Sequence, residues 1–174
     1  MGNNVIHPNH YNIPGRKECI EEMIEKFGHE KTEAFCELNS YKYQYRHELK
    51  NGQEDLDKAS NYQNMLQKMI ENDPRFKIAE HYGFEGQCNQ LIEEMAELTQ
   101  ALCKWNRKFG CGQTLPKEMT VDMLGDNIIE EMADVKLVLE QLIYLMGADE
   151  EVQLITNKKI KRTLERIGEN NASN

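Results

Sequence analysis

Three features of this sequence predict an all-α fold built from two helical domains. Leu, Met, Glu, Lys and Gln abound while aromatic residues make up only 7% of the chain, a composition that favours helix. Apolar residues recur three and four positions apart along most of the length, the period of a helix with one buried face. The clearest break, Asn72-Asp73-Pro74, suits a domain boundary, because proline interrupts a helix and pushes the preceding residue out of helical geometry. The predicted domains are 1–73 and 74–174.

Length and charge narrow the class. The 174 residues suffice for one medium domain or two small ones. A formal net charge of −9 argues against direct nucleic-acid binding, which draws its affinity from basic surface. It leaves room for a nucleotide at a local basic or metal-bearing site. The five cysteines, Cys19, Cys36, Cys88, Cys103 and Cys111, are odd in number and lack Cys-x-x-Cys spacing. That pattern suits a reducing compartment better than a disulfide framework or a zinc site. The N-terminus opens no apolar run and no stretch is long enough to span a bilayer. A cytoplasmic protein without a membrane partner is expected.

Residues 1–15 read as a loop, with Pro8, Pro14 and Gly15 as helix breakers. His7 and His10 either ligate a metal or contact a phosphate, or they pack the loop. Over 16–27, Cys19, Ile20, Met23, Ile24 and Phe27 share one helical side, and Gly28 is the stop signal. A second helix is predicted over about 30–49, with Phe35, Leu38, Tyr41, Tyr45 and Leu49 as its apolar face and Lys42 and Arg46 one turn apart. Asn51-Gly52 signals a turn. A third helix over about 54–71 carries Leu56, Ala59, Tyr62, Met65, Leu66, Met69 and Ile70. Lys42, Arg46, Lys50 and Lys58 suit phosphate, and Tyr43 suits a base; the alternative is a helical module with surface ion pairs such as Glu54–Lys58.

The series His7-Pro8-Asn9-His10-Tyr11, Glu18-Cys19-Ile20, Lys42-Tyr43-x-x-Arg46, Lys50 and Glu54-Asp55-Leu56-x-Lys58-Ala59-x-x-Tyr62 resembles a small phage-encoded family of DUF3310 type. That family is called uncharacterised, or phage nucleotide kinase after a nucleoside monophosphate kinase that carries it. The resemblance spans about residues 5–70 and implies membership more than activity. The chain has no Gly-x-x-x-x-Gly-Lys-[Ser/Thr] phosphate loop.

The second half begins with a short helical or irregular piece over 76–82, followed by Gly83 and Gly86. A long helix is predicted over about 87–108. Its apolar stripe is Leu91, Met95, Leu98 and Leu102, and Glu94 and Glu97 fall together on the flank. Trp105, near its end, either stacks on a nucleobase or covers the bundle end. The connection over 109–124 exceeds the usual helix–helix link and reads as a lid or a short helix. The next helix is predicted to start at Gly125-Asp126 with Asp126 as N-cap and to run to about 146. There Glu131 enters the apolar stripe of Ile128, Met132, Val135, Val138, Leu139 and Leu142, and Asp134 lies on its edge. A last helix over about 149–167 has Val152, Ile160, Leu164 and Ile167 in a row. It also carries Lys158, Lys159, Lys161, Arg162 and Arg166, a basic patch in an acidic chain. The patch either complements the helix dipole or binds a triphosphate. Residues 169–174 read as a frayed tail.

A carboxylate inside an apolar stripe needs a partner. Packing the two long helices face to face would gather Glu94, Glu97, Glu131 and Asp134. Two carboxylates about 5 Å apart repel by roughly 3 kcal/mol at an effective dielectric near 20, so four together would protonate or push apart. A divalent cation removes the conflict, and an oxygen-only ligand set suits Mg²⁺ or Mn²⁺.

Residues 80–167, with Glu93-Glu94-x-x-Glu97 followed by Glu131-x-x-Asp134 and a basic helix, resemble the MazG-like all-α NTP pyrophosphatases. The resemblance implies Mg²⁺-dependent hydrolysis of a nucleoside triphosphate, NTP or dNTP, between the α and β phosphates. It also implies a helical bundle that completes its site by forming a homo-oligomer, a dimer or tetramer. Glu94, Glu97, Glu131 and Asp134 would hold the metal, Glu93 or Glu94 would take a proton from water, and Lys159, Arg162 and Arg166 would hold phosphates. The connection between the motifs is longer than in many relatives, which bears on substrate choice. The rival expectations are a nucleoside monophosphate kinase in the N-terminal domain, and a non-catalytic protein that sequesters a nucleotide signal.

Overall fold

Residue 15, residues 17–110 and residues 120–172 are described by the computed structural model of the chain, with side chains as far as residue 168. Among these residues the regular elements are all helical. They form two compact units, Met1–Pro74 and Arg75–Asn174. Among the described residues, no helix is long and apolar enough to cross a membrane. His7, His10, the loop around them, Cys111 and most of the connection between the two long helices lie outside the described residues.

In the first unit, α1 spans Cys19–Phe27. At its start the Glu18 N–H donates to Glu21 Oε2 (3.3 Å). At its end Gly28 has φ +85 and sends its N–H to the Ile24 carbonyl (2.9 Å). A side chain at that φ would be strained, so the glycine fixes the corner into α2, His29–Arg46. A 3₁₀ turn over His47–Leu49 and the Asn51-Gly52 corner lead into α3, Gln53–Asn72. The second helix therefore ends a turn earlier as α-helix than the sequence pattern suggests.

The buried seam between α2 and α3 differs from the expected one. Thr32, Cys36 and Ser40 are the buried residues of α2, against Asp55, Ala59 and Met69 of α3. The expected apolar face of α2 is exposed, with Tyr45 at 76% and Leu49 at 90%. Large side chains hold helix backbones apart, whereas a row of small residues one turn apart lets them approach. Here proximity and the half-buried Arg46–Asp55 ion pair outweigh hydrophobic period. Contacts fix the antiparallel register: Arg46 meets Asp55, Tyr43 stacks on Tyr62, and His29 meets Asp73. Burial is also what raises the Cys36 thiol to about 11, with the charge of Glu33 adding to it, so this cysteine stays protonated and inert.

In the second unit, α4 spans Pro74–Phe109 but is broken at Gly83, where φ is 72 and ψ 174. Pro74 occupies a first helical position, where its missing N–H costs nothing. The expected glycine break is therefore real, but helix lies on both sides of it. After the connection, α5 spans Val121–Met146. Its N-cap is Thr120, whose Oγ1 accepts from the Met123 N–H (3.2 Å). The expected start at Asp126 is thus corrected. Gly125 lies inside the helix, where a Cβ would make an ordinary contact, 4.0 Å, with the Trp105 indole. Gly147, at φ 60 and ψ 37, closes α5. Its N–H donates to Tyr144 O and the Ala148 N–H to Ile143 O, the paired bonds of a Schellman cap.

α4 and α5 form an antiparallel hairpin. At one end Arg75 Nη1 bonds Glu140 Oε2 (3.0 Å), Gln141 Nε2 bonds the Arg75 carbonyl (3.0 Å), and Phe76 stacks on Tyr144 at 4.1 Å. At the other, Trp105 covers Gly125. Among the described residues the buried ones are few: Ala79, Gln87 and Ala101 on α4, and Leu124, Val138, Gln141 and Leu142 on α5. Met95, Leu102, Met132 and Leu139, all expected in the stripes, stay substantially exposed. α6, Asp149–Ala172, extends beyond the expected end at 167 into the segment read as a tail. Its residues 151–168 are all exposed, including Leu164 at 62%.

Candidate metal centre

The α4–α5 register brings carboxylates together where both helices carry them in apolar context. Glu94 and Glu97 project from α4 and Glu131 from α5, and one oxygen of each lies within 4.8 Å of the others. Glu94 and Glu131 are half-buried and Glu97 is exposed. The charges that act most strongly on Glu97 are all carboxylates. Glu131 raises its pKa most, partial burial adds to that, and Glu94, the hydrogen bond to Glu131 and Glu93 follow. Mutual repulsion of this kind is the signature of a group of acids lacking a counter-charge. Three carboxylates with oxygen donors only match a hard divalent cation, so the residues fit Mg²⁺ or Mn²⁺.

Two amides, absent from the expected set, hold this arrangement. Gln90 Nε2 donates to Glu94, and Asn127 Nδ2 donates to Glu131 Oε1 (2.7 Å). Each sits one turn before its carboxylate on the same helix. An amide at that spacing bonds one carboxylate oxygen and restrains the side chain, as outer partners of metal ligands do. The signal was present in the sequence as Gln90-x-x-x-Glu94 and Asn127-x-x-x-Glu131.

The remaining expected residues fall elsewhere. Asp134 is half-buried one turn further along α5, and its oxygens are not part of the converging trio. Glu93 is exposed beside the trio and perturbs Glu97 from there. Trp105 is half-buried, packs on Phe109 with ring centroids 4.4 Å apart, and lies over Gly125. Lys159, Arg162 and Arg166 are exposed on α6.

In the first unit, Lys42, Tyr43 and Arg46 do come together. Lys42 Nζ lies 4.7 Å and Arg46 Cζ 4.6 Å from the Tyr43 ring centroid, with Lys58 Nζ at 5.9 Å. Tyr62 stacks on the same ring at 5.8 Å and 15°. Arg46, however, is engaged by fully buried Asp55, through Nε to Oδ2 (2.9 Å) and Nη2 to Oδ1 (3.0 Å). Asn51 adds a third bond to Asp55 at 3.2 Å. Arg46 is therefore a structural clamp. Asp55 and Tyr62 appeared in the sequence as family-like residues without a role, since their partners lie on another helix.

Residues 5–64 match a protein family described as a protein of unknown function (DUF3310). No curated protein matches the chain, and no solved structure does.

Proposed function

We propose that the second unit hydrolyses a nucleoside triphosphate, NTP or dNTP, between its α and β phosphates, releasing monophosphate and pyrophosphate. The observation that carries this reading is the convergence of Glu94, Glu97 and Glu131 from two helices, with Glu97 raised by its neighbours' charge. The motif resemblance to MazG-like pyrophosphatases supplies the reaction class. Glu94, Glu97 and Glu131 would hold Mg²⁺, with Asp134 one turn away as a reserve ligand. Such an ion would supply neutralisation of the phosphate charge at this site. Gln90 and Asn127 fix the carboxylates in place. Glu93, adjacent but outside the trio, accepts the proton of the attacking water. The water oxygen bonds to the α-phosphorus as its bond to the bridging oxygen breaks, and the electron pair leaves with the pyrophosphate oxygen.

Lys159, Arg162 and Arg166 hold the leaving phosphates. α6 projects with its basic residues and its apolar row Val152, Ile160, Leu164 and Ile167 exposed. This supports a homo-oligomer in which the α6 of one copy completes the carboxylate site of another. In the first unit, the Tyr43–Tyr62 stack with Lys42 and Lys58 beside it supports a nucleotide-binding role. On that reading the chain serves phage nucleotide metabolism, with a monophosphate kinase activity of the first unit as the second reading.

The test offers purified protein a panel of NTPs and dNTPs with Mg²⁺ and resolves the products by ion exchange. Monophosphate plus pyrophosphate, lost with EDTA, is the expected outcome and identifies the preferred base. Intact triphosphates would exclude hydrolysis. Phosphate transfer to added monophosphates, lost in Tyr43→Ala, would then establish the kinase. Nucleotide binding by calorimetry without any product would establish sequestration.

A further inference from the structure

A second convergent group lies in the first unit, apart from the carboxylates assigned to catalysis. His29 is the first residue of α2, Glu33 stands one turn on, and Asp73 follows the last turn of α3. One donor atom of each lies within 4.8 Å of the others. His29 Nδ1 is 3.3 Å from Asp73 Oδ2 and 3.7 Å from Glu33 Oε1. A tetrahedron of donors about 2.1 Å from a zinc ion has edges of about 3.4 Å, so both separations fit donors sharing one ion.

The second observation concerns the histidine nitrogen. His29 Nδ1 is screened from solvent and makes no hydrogen bond, although the two carboxylates are so near. The Asp73 side chain is 0% accessible. A buried carboxylate and a buried imidazole nitrogen that lie close without the geometry of donor and acceptor are placed as neighbours around a common point. The backbone is arranged to bring them there. Gly28, at φ +85, turns the chain so that His29 opens α2. Pro74 forces Asp73 into the extended region, with φ −63 and ψ 121.

We infer that His29, Glu33 and Asp73 form a site for a divalent transition-metal ion of the zinc or cobalt class. One imidazole and two carboxylates form a donor set softer than the all-oxygen trio of the second unit, and distinguish the sites by metal preference. The ion clasps the start of α2 to the end of α3, next to the junction at Pro74. Its binding stabilises the fold of the first unit by mass action. An unmetallated ion pair between His29 and Asp73 is the competing arrangement.

The test uses the full-length, untagged chain, stripped with EDTA, on a Glu131→Gln background that disables the other site. Cobalt(II) is titrated in while visible absorption and calorimetric stoichiometry are read. The expected result is one ion per chain, with a d–d spectrum displaced from that of the aquo ion. His29→Gln and Glu33→Gln should each weaken binding at least about tenfold, the loss that even outer partners of a metal site can produce. Zinc should raise the melting temperature of the parent and not that of either variant. An unchanged stoichiometry and affinity in a folded His29→Gln or Glu33→Gln chain would overturn the site. So would an aquo-type spectrum throughout, which is the result expected for an ion pair alone. These outcomes are independent of whether the second unit hydrolyses triphosphates.

Discussion

Two carboxylates in this protein respond to their surroundings in opposite directions, and each has a measurable consequence. Asp55 is held below the usual carboxylate range, first by its bonds to Arg46, with Asn51 and the charges of Arg46 and Lys58 adding to them against the opposing effect of burial. A depressed acid contributes stability that is present above its unfolded pKa, near 3.8, and is lost as pH falls through the folded value. Acid unfolding of the first unit should therefore begin below about pH 4. Arg46→Ala should flatten that acid limb and lower the melting temperature at neutral pH, as read by circular dichroism. Glu97 is raised, first by Glu131. Its favourable state is the protonated one, fully present below the unfolded pKa near 4.5 and lost as pH rises through the folded value. The cation-free protein should thus be destabilised at neutral pH by this group. Glu97→Gln should raise its melting temperature, and Mg²⁺ should raise that of the wild type but hardly that of the variant. An unchanged melting temperature in Glu97→Gln would mean that the trio's repulsion is screened away.

Helix ends and seams show what the sequence pattern carries and what it hides. The three carboxylates, the turn at Asn51-Gly52, the break at Gly83 and the stop at Gly147 are local features, and local chemistry made them legible. The α2 seam was not legible. Its buried residues, Thr32, Cys36 and Ser40, are small or polar, and they face inward because of Asp55 and Ala59 on α3, which no period on α2 reveals. The start of α5 was misplaced for a related reason. Asp126 is an acceptable cap, but Thr120 caps six residues earlier, and Gly125 lies within the helix instead of breaking it. Gln90 and Asn127 are not legible as site residues from sequence, because an amide one turn from a carboxylate matters only once the carboxylate has a task. The caps are testable. Thr120→Ala should cost about 1 kcal/mol of stability through the lost N-cap. Gly147→Ala should cost roughly 1–2 kcal/mol through the left-handed backbone, since nothing lies within 4 Å of a Cβ there. Denaturant midpoints check both.

At the scale of the molecule, the second unit leaves apolar side chains of α4, α5 and α6 exposed and its basic helix projecting. A hairpin with so few fully buried residues gains stability by covering those faces, which is the physical ground for the proposed assembly. Light scattering should report a dimer or tetramer. Leu164→Glu, placed in the exposed row of α6 and away from the carboxylates, should shift that species towards monomer and reduce kcat/KM at least about tenfold. A monomeric wild type with full activity would show that one copy completes its own site. The first unit contributes a different chemistry, an aromatic–cation platform at Tyr43 and the His29 group. Neither resembles the oxygen-only trio, and this suits a division of roles between the units.

The most direct test of the central claim sets wild type beside Glu131→Gln under identical Mg²⁺ and triphosphate, with products followed by phosphorus NMR and the fold checked by circular dichroism. The account predicts monophosphate and pyrophosphate from the wild type and no detectable turnover from a variant whose helical spectrum is unchanged. Equal pyrophosphate release from both proteins would show that the carboxylates on α4 and α5 are not the reaction centre.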